Sequence, residues 1–316
     1  MMTYGDYAAA ISIIVIAVPG LFGNVNILAA ILRKKDLRTK SGCLMCLVAF
    51  YDCISILFEI VTAKRLFCGE ILPKRDCFAS VVPYFIILVT QSYTLLALAV
   101  DRMIAIFYPM KYRQMSMTFS LLLSCLPGIL IGSVLAVLAF VYMDDDTVAF
   151  CNPPMALPSK IEEIYRSYTV AVNICIISLY AISLYGIHRQ KKLLHTIHDA
   201  RHSRHVLQQQ QTMRTIGVIL MVFVAAYFVV QLVNFVIIYA QIDESLPAIE
   251  FIRGMSVVPI MITFSQSFYV YWWRSREYRT VFKEQLKYVF RCLPWGKRSA
   301  TVRSSTRTVF HVSHIS

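Results

Sequence analysis

Ser116–Met143 reads SMTFSLLLSCLPGILIGSVLAVLAFVYM, without one charged side chain. About 20 such residues let a helix cross the hydrocarbon core of a bilayer, because every backbone amide finds its partner within the segment. The same property recurs on either side of this stretch. Charge-free runs cover Ala8–Leu32, Phe78–Val100, Ser167–Ile187, Thr215–Ile242 and Gly254–Trp273. Ser41–Ala63 is equally apolar apart from Asp52 and Glu59. Strands of a membrane barrel would be shorter and would alternate in polarity. The expected fold is therefore an all-α membrane protein, a seven-transmembrane helix bundle.

The whole chain agrees with that reading. It has 316 residues, 58% hydrophobic and only 16% charged, with a mean hydropathy of +0.61. Soluble domains carry about a quarter charged residues, so a water-soluble enzyme is excluded, as is a disordered chain, which needs low hydrophobicity. The segments between runs are too short for a further domain. Residues 1–7 are expected as a short extracellular N-terminus, followed by an uncleaved first span in place of a signal peptide. The bundle is expected over 8–273, an amphipathic cytoplasmic helix over 274–292 and a disordered cytoplasmic tail over 293–316. Most of the 31 Lys and Arg fall in 33–40, 101–115, 188–214 and 274–316, which seven spans place on one side. The positive-inside rule makes that side the cytoplasm of a plasma-membrane protein, with the N-terminus outside. The net charge of +13 is then mostly a collar facing anionic lipid. Nucleic acid is not an expected partner, because the basic residues flank spans and form no single patch.

A few residues carry possible chemistry. Cys68, Cys77 and Cys151 fall on the outer side, which is oxidising. A Cys77–Cys151 bridge would pin the segment between spans four and five over the mouth of the bundle. Three outer cysteines leave one odd thiol, however, so the pairing stays open. Charge inside a span by default marks function. Asp52, mid-span in the second run, reads as a water or ion site, and Asn24 in the first as hydrogen-bonding glue between helices. Glu59, two turns nearer the outside, either points into a ligand cavity or pairs with Lys64 or Arg65. Asp101-Arg102 ends the third span. Its arginine is either held by its acidic neighbour until helices part, or simply snorkels at the interface. In Ser275–Phe290, Tyr278, Val281, Phe282, Leu286 and Val289 share one arc of a helix, and Arg276, Arg279, Lys283 and Lys287 another. This is a C-terminal amphipathic juxtamembrane helix on the inner lipid surface. Cys292 behind it is a palmitoylation candidate or an idle thiol.

Gly23-Asn24, Arg33–Lys40 (RKKDLRTK), Val100–Tyr112 (VDRMIAIFYPMKY) and Ser267–Phe282 (SFYVYWWRSREYRTVF) form an ordered set. It resembles the rhodopsin-like (family 1) G-protein-coupled receptors, and within them the nematode serpentine chemoreceptor class Srsx, over about residues 8–290. The spacings from Asn24 to Asp52 and from Cys77 to Asp101 are those between the corresponding landmarks of that family. The resemblance implies a receptor that transduces an extracellular ligand to a heterotrimeric G protein; no enzyme activity, cofactor or metal-ligand set is expected. It implies that Arg102 is the switch arginine and Asp101 its restraint. Tyr180 and Tyr271 would be the fifth- and seventh-helix tyrosines of activation, Asp52 the sodium- and water-coordinating acid, and Cys77–Cys151 the family disulfide. The chain departs from the family in several places. Met103 replaces the tyrosine of Asp-Arg-Tyr, and Ser267-Phe268-Tyr269-Val270-Tyr271 replaces Asn-Pro-x-x-Tyr. Spans five and six lack proline, and Met213-Arg214 stands where some members carry an acid that locks the arginine. Tyr84 stands where amine receptors carry aspartate, so a cationic amine would lack its counter-ion. Gly254–Trp273 has no lysine for retinal. Glu59, Tyr84, Gln91, Tyr227, Gln231 and Asn234 are candidate lining of a mixed-polarity pocket, and any one of them could instead face a neighbouring helix.

The favoured reading is a chemosensory receptor for a small molecule. A neuropeptide-type receptor is the alternative, and a small transporter stands further off, because transporters commonly show internal repeats and Gly/Pro-broken spans. An intramembrane enzyme would need a nucleophile–base or metal constellation. The only cluster is His188, His195, His198, His202 and His205. His198 and His202 are spaced as metal ligands on a helix can be, but interleaved Lys and Arg make this a solvated basic loop.

Overall fold

The structure, a computed structural model, describes residues 4–144, 146–148, 151–197, 200–239 and 247–292. Among them, six helices are long and apolar enough to cross a membrane. They are α1 (Tyr4–Arg33), α2 (Lys40–Cys68), α3 (Lys74–Phe107), α5 (Met117–Val141), α7 (Ser159–Ile197) and α8 (Ala200–Tyr239). Short helices α4 (Pro109–Gln114) and α6 (Pro153–Ala156) lie in the connections. Three further segments, α9 (Pro247–Met255), α10 (Val257–Ser265) and α11 (Ser267–Arg274), follow one another as the seventh span, and α12 (Arg276–Cys292) completes the bundle.

The sequence accounts for where the helices start, stop and bend. The Thr39 hydroxyl accepts from the Gly42 amide at 3.0 Å and caps the start of α2. At its far end Gly69 turns left-handed, at φ 63°. The Gly69 amide then reaches the Leu66 carbonyl (3.1 Å) and the Glu70 amide that of Arg65 (3.2 Å), the Schellman arrangement that glycine permits. The seventh span, expected as one charge-free run over Gly254–Trp273, is instead divided into segments. Pro259 has no amide hydrogen, and its ring crowds the carbonyl of Met255, four residues back. The break falls at Ser256, which keeps helical angles (φ −63°, ψ −16°). A second joint at Gln266 stays helical too, with Val270 N donating to Gln266 O at 3.0 Å.

A second difference lies at 188–214, expected as a solvated loop. There α7 runs on to Ile197 and α8 begins at Ala200. No glycine or proline lies between Ile187 and Ile216 to stop a helix, and Lys, Gln, Arg and Leu are strong helix formers. His198 lies outside the described residues.

The most buried span is α3, which touches α2, α5 and α7. Its approach to α5 depends on Gly128 and Gly132. A Cβ at Gly128 would sit 2.8 Å from Thr90 Cα, and one at Gly132 3.2 Å from Ile86 Cα, so the two backbones meet as small residues allow in membranes. The opposite face of α5 turns Leu122, Leu123, Leu126 and Leu130 outward, where lipid is the solvent. α12 is docked through Phe282, which is fully buried with its ring 4.6 Å from Phe268. Lys34 and Glu284 also pair at 2.8 Å, but both side chains are about half exposed, and such pairs contribute little.

Candidate ligand cavity and arginine lock

Two sites form at opposite ends of α3. At the first, Cys77 and Cys151 are joined by a disulfide, with Cα atoms 5.6 Å apart. The Thr62 hydroxyl donates to the Cys151 carbonyl at 3.3 Å, tying the same segment to α2. Two-residue strands β1 (Leu72–Pro73) and β2 (Thr147–Val148) pair antiparallel beside it, and Lys74 bonds Asp146 at 3.0 Å. The Asn152 side chain caps α6 by accepting from Met155 N at 3.0 Å.

Beneath this segment lies a cavity of about 120 Å³. A single water needs only ~10–15 Å³ by this measure, so there is room for a small ligand. Its lining includes Asn152–Pro154, Tyr165, Tyr227 and Gln231, together with Glu59 and Tyr84. Tyr84 Oη donates to Glu59 Oε1 at 2.6 Å. Glu59 is 3% exposed, and its Oε2 has no hydrogen-bond partner among the described residues. Phe58 stacks on the Tyr84 ring at 5.4 Å, and Phe85 meets Tyr165 edge-on at 5.3 Å. Glu162 and Arg166 also line the cavity and pair with each other at 2.5 Å.

Four of the residues expected to line a pocket, Glu59, Tyr84, Tyr227 and Gln231, thus meet in one place. Gln91 does not join them. It shares a helix face with Tyr84, but seven residues at ~1.5 Å each carry it ~10 Å deeper, where its Nε2 donates to Asp52 Oδ1 at 2.6 Å. The Asn234 side chain lies outside the described residues.

Asp52 and Gln91 belong to a buried polar layer between the two ends. Asn24 Nδ2 donates to the Phe264 carbonyl at 2.7 Å. Here α1 meets α2 and α10, since a Cβ at Gly20 would collide with Ser265 Oγ and lie 2.8 Å from Ile56 Cδ1. Asp52 Oδ2, Asn24 Oδ1, Ser55 Oγ and Ser267 Oγ are buried oxygens without partners among the described residues.

At the far end of α3, Arg102 Nε donates to Asp101 Oδ2 at 3.1 Å and Nη2 reaches the same oxygen. Nη2 also donates to Tyr112 Oη, on α4, at 3.3 Å. Lys40 bonds the Tyr112 carbonyl and lies 4.4 Å over its ring. Burial, and then the Asp101 charge, push the Tyr112 phenol above the usual tyrosine range. Tyr180 Oη donates to the Met213 carbonyl at 3.3 Å, joining α7 to α8, and its ring lies over Gly217 where any Cβ would collide. Tyr271 is buried, 4.4 Å from the Tyr278 ring. The Cys292 side chain lies outside the described residues.

Three contributors were not singled out from sequence. Tyr165 lies just outside the charge-free run that marked its span, because Arg166 follows it. Tyr112 ends the quoted Val100–Tyr112 stretch, and that position was its available signal. Phe268, noted as a replacement for proline, packs on Phe22 (5.6 Å), Trp272 (5.8 Å) and Phe282 (4.6 Å), and a Cβ at Gly23 would lie 2.7 Å from its own Cβ.

Seven spans, a bridged segment over a cavity and an arginine–aspartate pair at the opposite end make this a serpentine seven-helix receptor. Residues 17–286 match the family model for the serpentine type 7TM GPCR chemoreceptor Srsx, and the chain belongs to that family. It is a family of G-protein-coupled receptors, not of enzymes. No curated protein matches the chain.

Proposed function

We propose that this chain detects a small extracellular molecule in the cavity of Glu59, Tyr84, Tyr227 and Gln231 and transmits it to a heterotrimeric G protein at Arg102. The observation that carries this reading is that one helix serves both sites. Tyr84 and Arg102 both lie on α3, ~27 Å apart along its axis at ~1.5 Å per residue. The cavity end faces outside and the Arg102 end faces the cytoplasm, with α12 on inner-leaflet lipid and Cys292 as a palmitoylation candidate. In the closed state Asp101 and Tyr112 hold Arg102, and the Tyr180–Met213 bond holds α7 to α8. A ligand that binds the open arrangement more tightly shifts the population toward it, by no more than its differential affinity. Arg102 then meets the G-protein α subunit, while Tyr271 and Tyr180 reorganise around it.

The polar layer supports an ion- or water-bound resting state. Asp52 Oδ2, Asn24 Oδ1 and Ser55 Oγ suit sodium as hard oxygen donors, and such an ion supplies the positive charge that a buried carboxylate requires.

The test is GTPγS loading of a panel of Gα subunits by membranes holding the protein, with a chemical and peptide library added. Compound-dependent loading that falls at least tenfold in an Arg102→Ala receptor of normal surface level is the expected result. Loading unchanged in that variant would refute the mechanism, and activation by peptides alone would favour the neuropeptide-type alternative.

A further inference from the structure

We infer that the ligand of this cavity is an organic cation, a protonated or quaternary amine, whose charge is met by Glu59. The inference rests on reading the cavity as the ligand site and adds the class of ligand. On sequence, Tyr84 at the usual aspartate position leaves an amine without a counter-ion. The fold restores the acid from the neighbouring helix. Glu59 of α2 reaches across to the Tyr84 phenol, 2.6 Å away, and so stands beside the position that the aspartate would hold.

The geometry leaves one oxygen of the Glu59 carboxyl without a protein partner among the described residues. One oxygen accepts from Tyr84, and the other is buried without a partner among the described residues, on a side chain that lines the cavity. A buried carboxylate is costly without a compensating charge. A neutral ligand donating one hydrogen bond would satisfy the oxygen but give the ionised form of the carboxyl no opposite charge. A cation satisfies both. The walls suit the same guest, because Tyr84, Tyr165 and Tyr227 line the cavity and the faces of aromatic rings attract ammonium groups. Arg166 does not reverse the sign. It is paired with Glu162 at 2.5 Å and its side chain is about a third exposed, so partner and solvent both screen it. The cavity therefore carries one uncompensated acid and a neutral pair in its lining.

The test uses the full chain in lipid nanodiscs and reads its thermal unfolding with millimolar phenethylammonium or tetramethylammonium, beside the neutral isosteres 2-phenylethanol and tert-butanol. A saturable rise in melting temperature with the cations, absent with the neutral compounds, is expected. Glu59→Gln keeps an acceptor for Tyr84 and removes the charge, and should weaken cation binding at least tenfold. Glu59→Asp should keep the preference for cations. Equal stabilisation by neutral isosteres, no stabilisation by either cation, or an effect that survives Glu59→Gln would each overturn the inference. The comparison within the unsubstituted protein stands even if a variant misfolds. Failure of the receptor reading is separable. Cation stabilisation with no Arg102-dependent nucleotide exchange leaves the site standing and removes the coupling. Arg102-dependent exchange driven by a neutral or anionic compound does the reverse.

Discussion

At the level of single side chains, Arg102 is bonded by more than its acidic neighbour. Asp101 and Arg102 are adjacent in sequence, and that contact alone would also suit an interfacial snorkelling pair. Tyr112 adds a second partner, since its phenol on α4 accepts from Arg102 Nη2 at 3.3 Å, and on the proposed reading it helps to hold the closed state. A hydrogen bond to a charged group contributes about 1.5 kcal/mol or more after water takes its share. Tyr112→Phe should therefore raise ligand-independent GTPγS loading about tenfold, while Arg102 stays paired to Asp101. With the phenol pKa raised, the group stays protonated, so the ratio of variant to wild type should hold constant between about pH 6 and pH 8. Unchanged basal loading would show that the phenol does not restrain the closed state. Much at this scale was hidden in the sequence. Glu59 could be placed at a depth in its span, yet its choice between Lys64, Arg65 and a cavity depends on how α2 is rotated against α3. Gln91 went astray for the complementary reason: its helix face was right and its depth was not.

At the level of helices, apolar runs marked the interiors well and the ends poorly. A charge-free window finds the lipid-spanning part of a helix, but hydrogen bonding carries a helix on wherever propensity allows. Hence α7 starts at Ser159, ahead of the run beginning at Ser167, and continues through His188–Ile197. The break at Ser256 is not legible in the sequence, because Pro259 passes as one more apolar residue within its run. Helix-to-helix approach was also illegible until the backbones were in place. Gly128 and Gly132 are spaced four apart, but only the structure shows that they face α3. Overpacking costs about 1–3 kcal/mol in a tight interior. Gly128→Ala, whose Cβ meets a backbone atom at 2.8 Å, should lower the melting temperature more than Gly132→Ala, at 3.2 Å. Thermal unfolding of the two purified variants checks the ranking. The reverse order, or two neutral substitutions, would mean that α3 and α5 are less closely packed than this.

For the whole molecule, the fold class was readable because bilayer thickness imposes a length that random sequence rarely meets seven times. The disulfide was not derivable from residues alone, with Cys68 as a third outer thiol; it stands exposed and free, whereas Cys77 pairs with Cys151. That bridge closes a loop with a sequence separation of 74, for which chain entropy gives a ceiling of about 4 kcal/mol. The true contribution is smaller, because α3 and α5 lie within the loop and remain helical in lipid. The double variant Cys77→Ser, Cys151→Ser should melt several degrees lower and lose ligand response, since Asn152–Pro154 would no longer be held over the cavity. Full ligand response in that variant would show that this segment holds itself in place. The long helices give the whole assembly a mechanical character. α8 has 40 residues, about 60 Å at ~1.5 Å per residue against a hydrocarbon core of ~30 Å. From Tyr227 in the cavity wall to Ala200 at its start is ~40 Å, so a tilt of ~5° about the cavity sweeps the far end by ~3.5 Å. Such a lever would trade force for travel: on the proposed reading, an adjustment under 1 Å around a small guest would become a displacement as wide as an atom at the end where a much larger partner is expected.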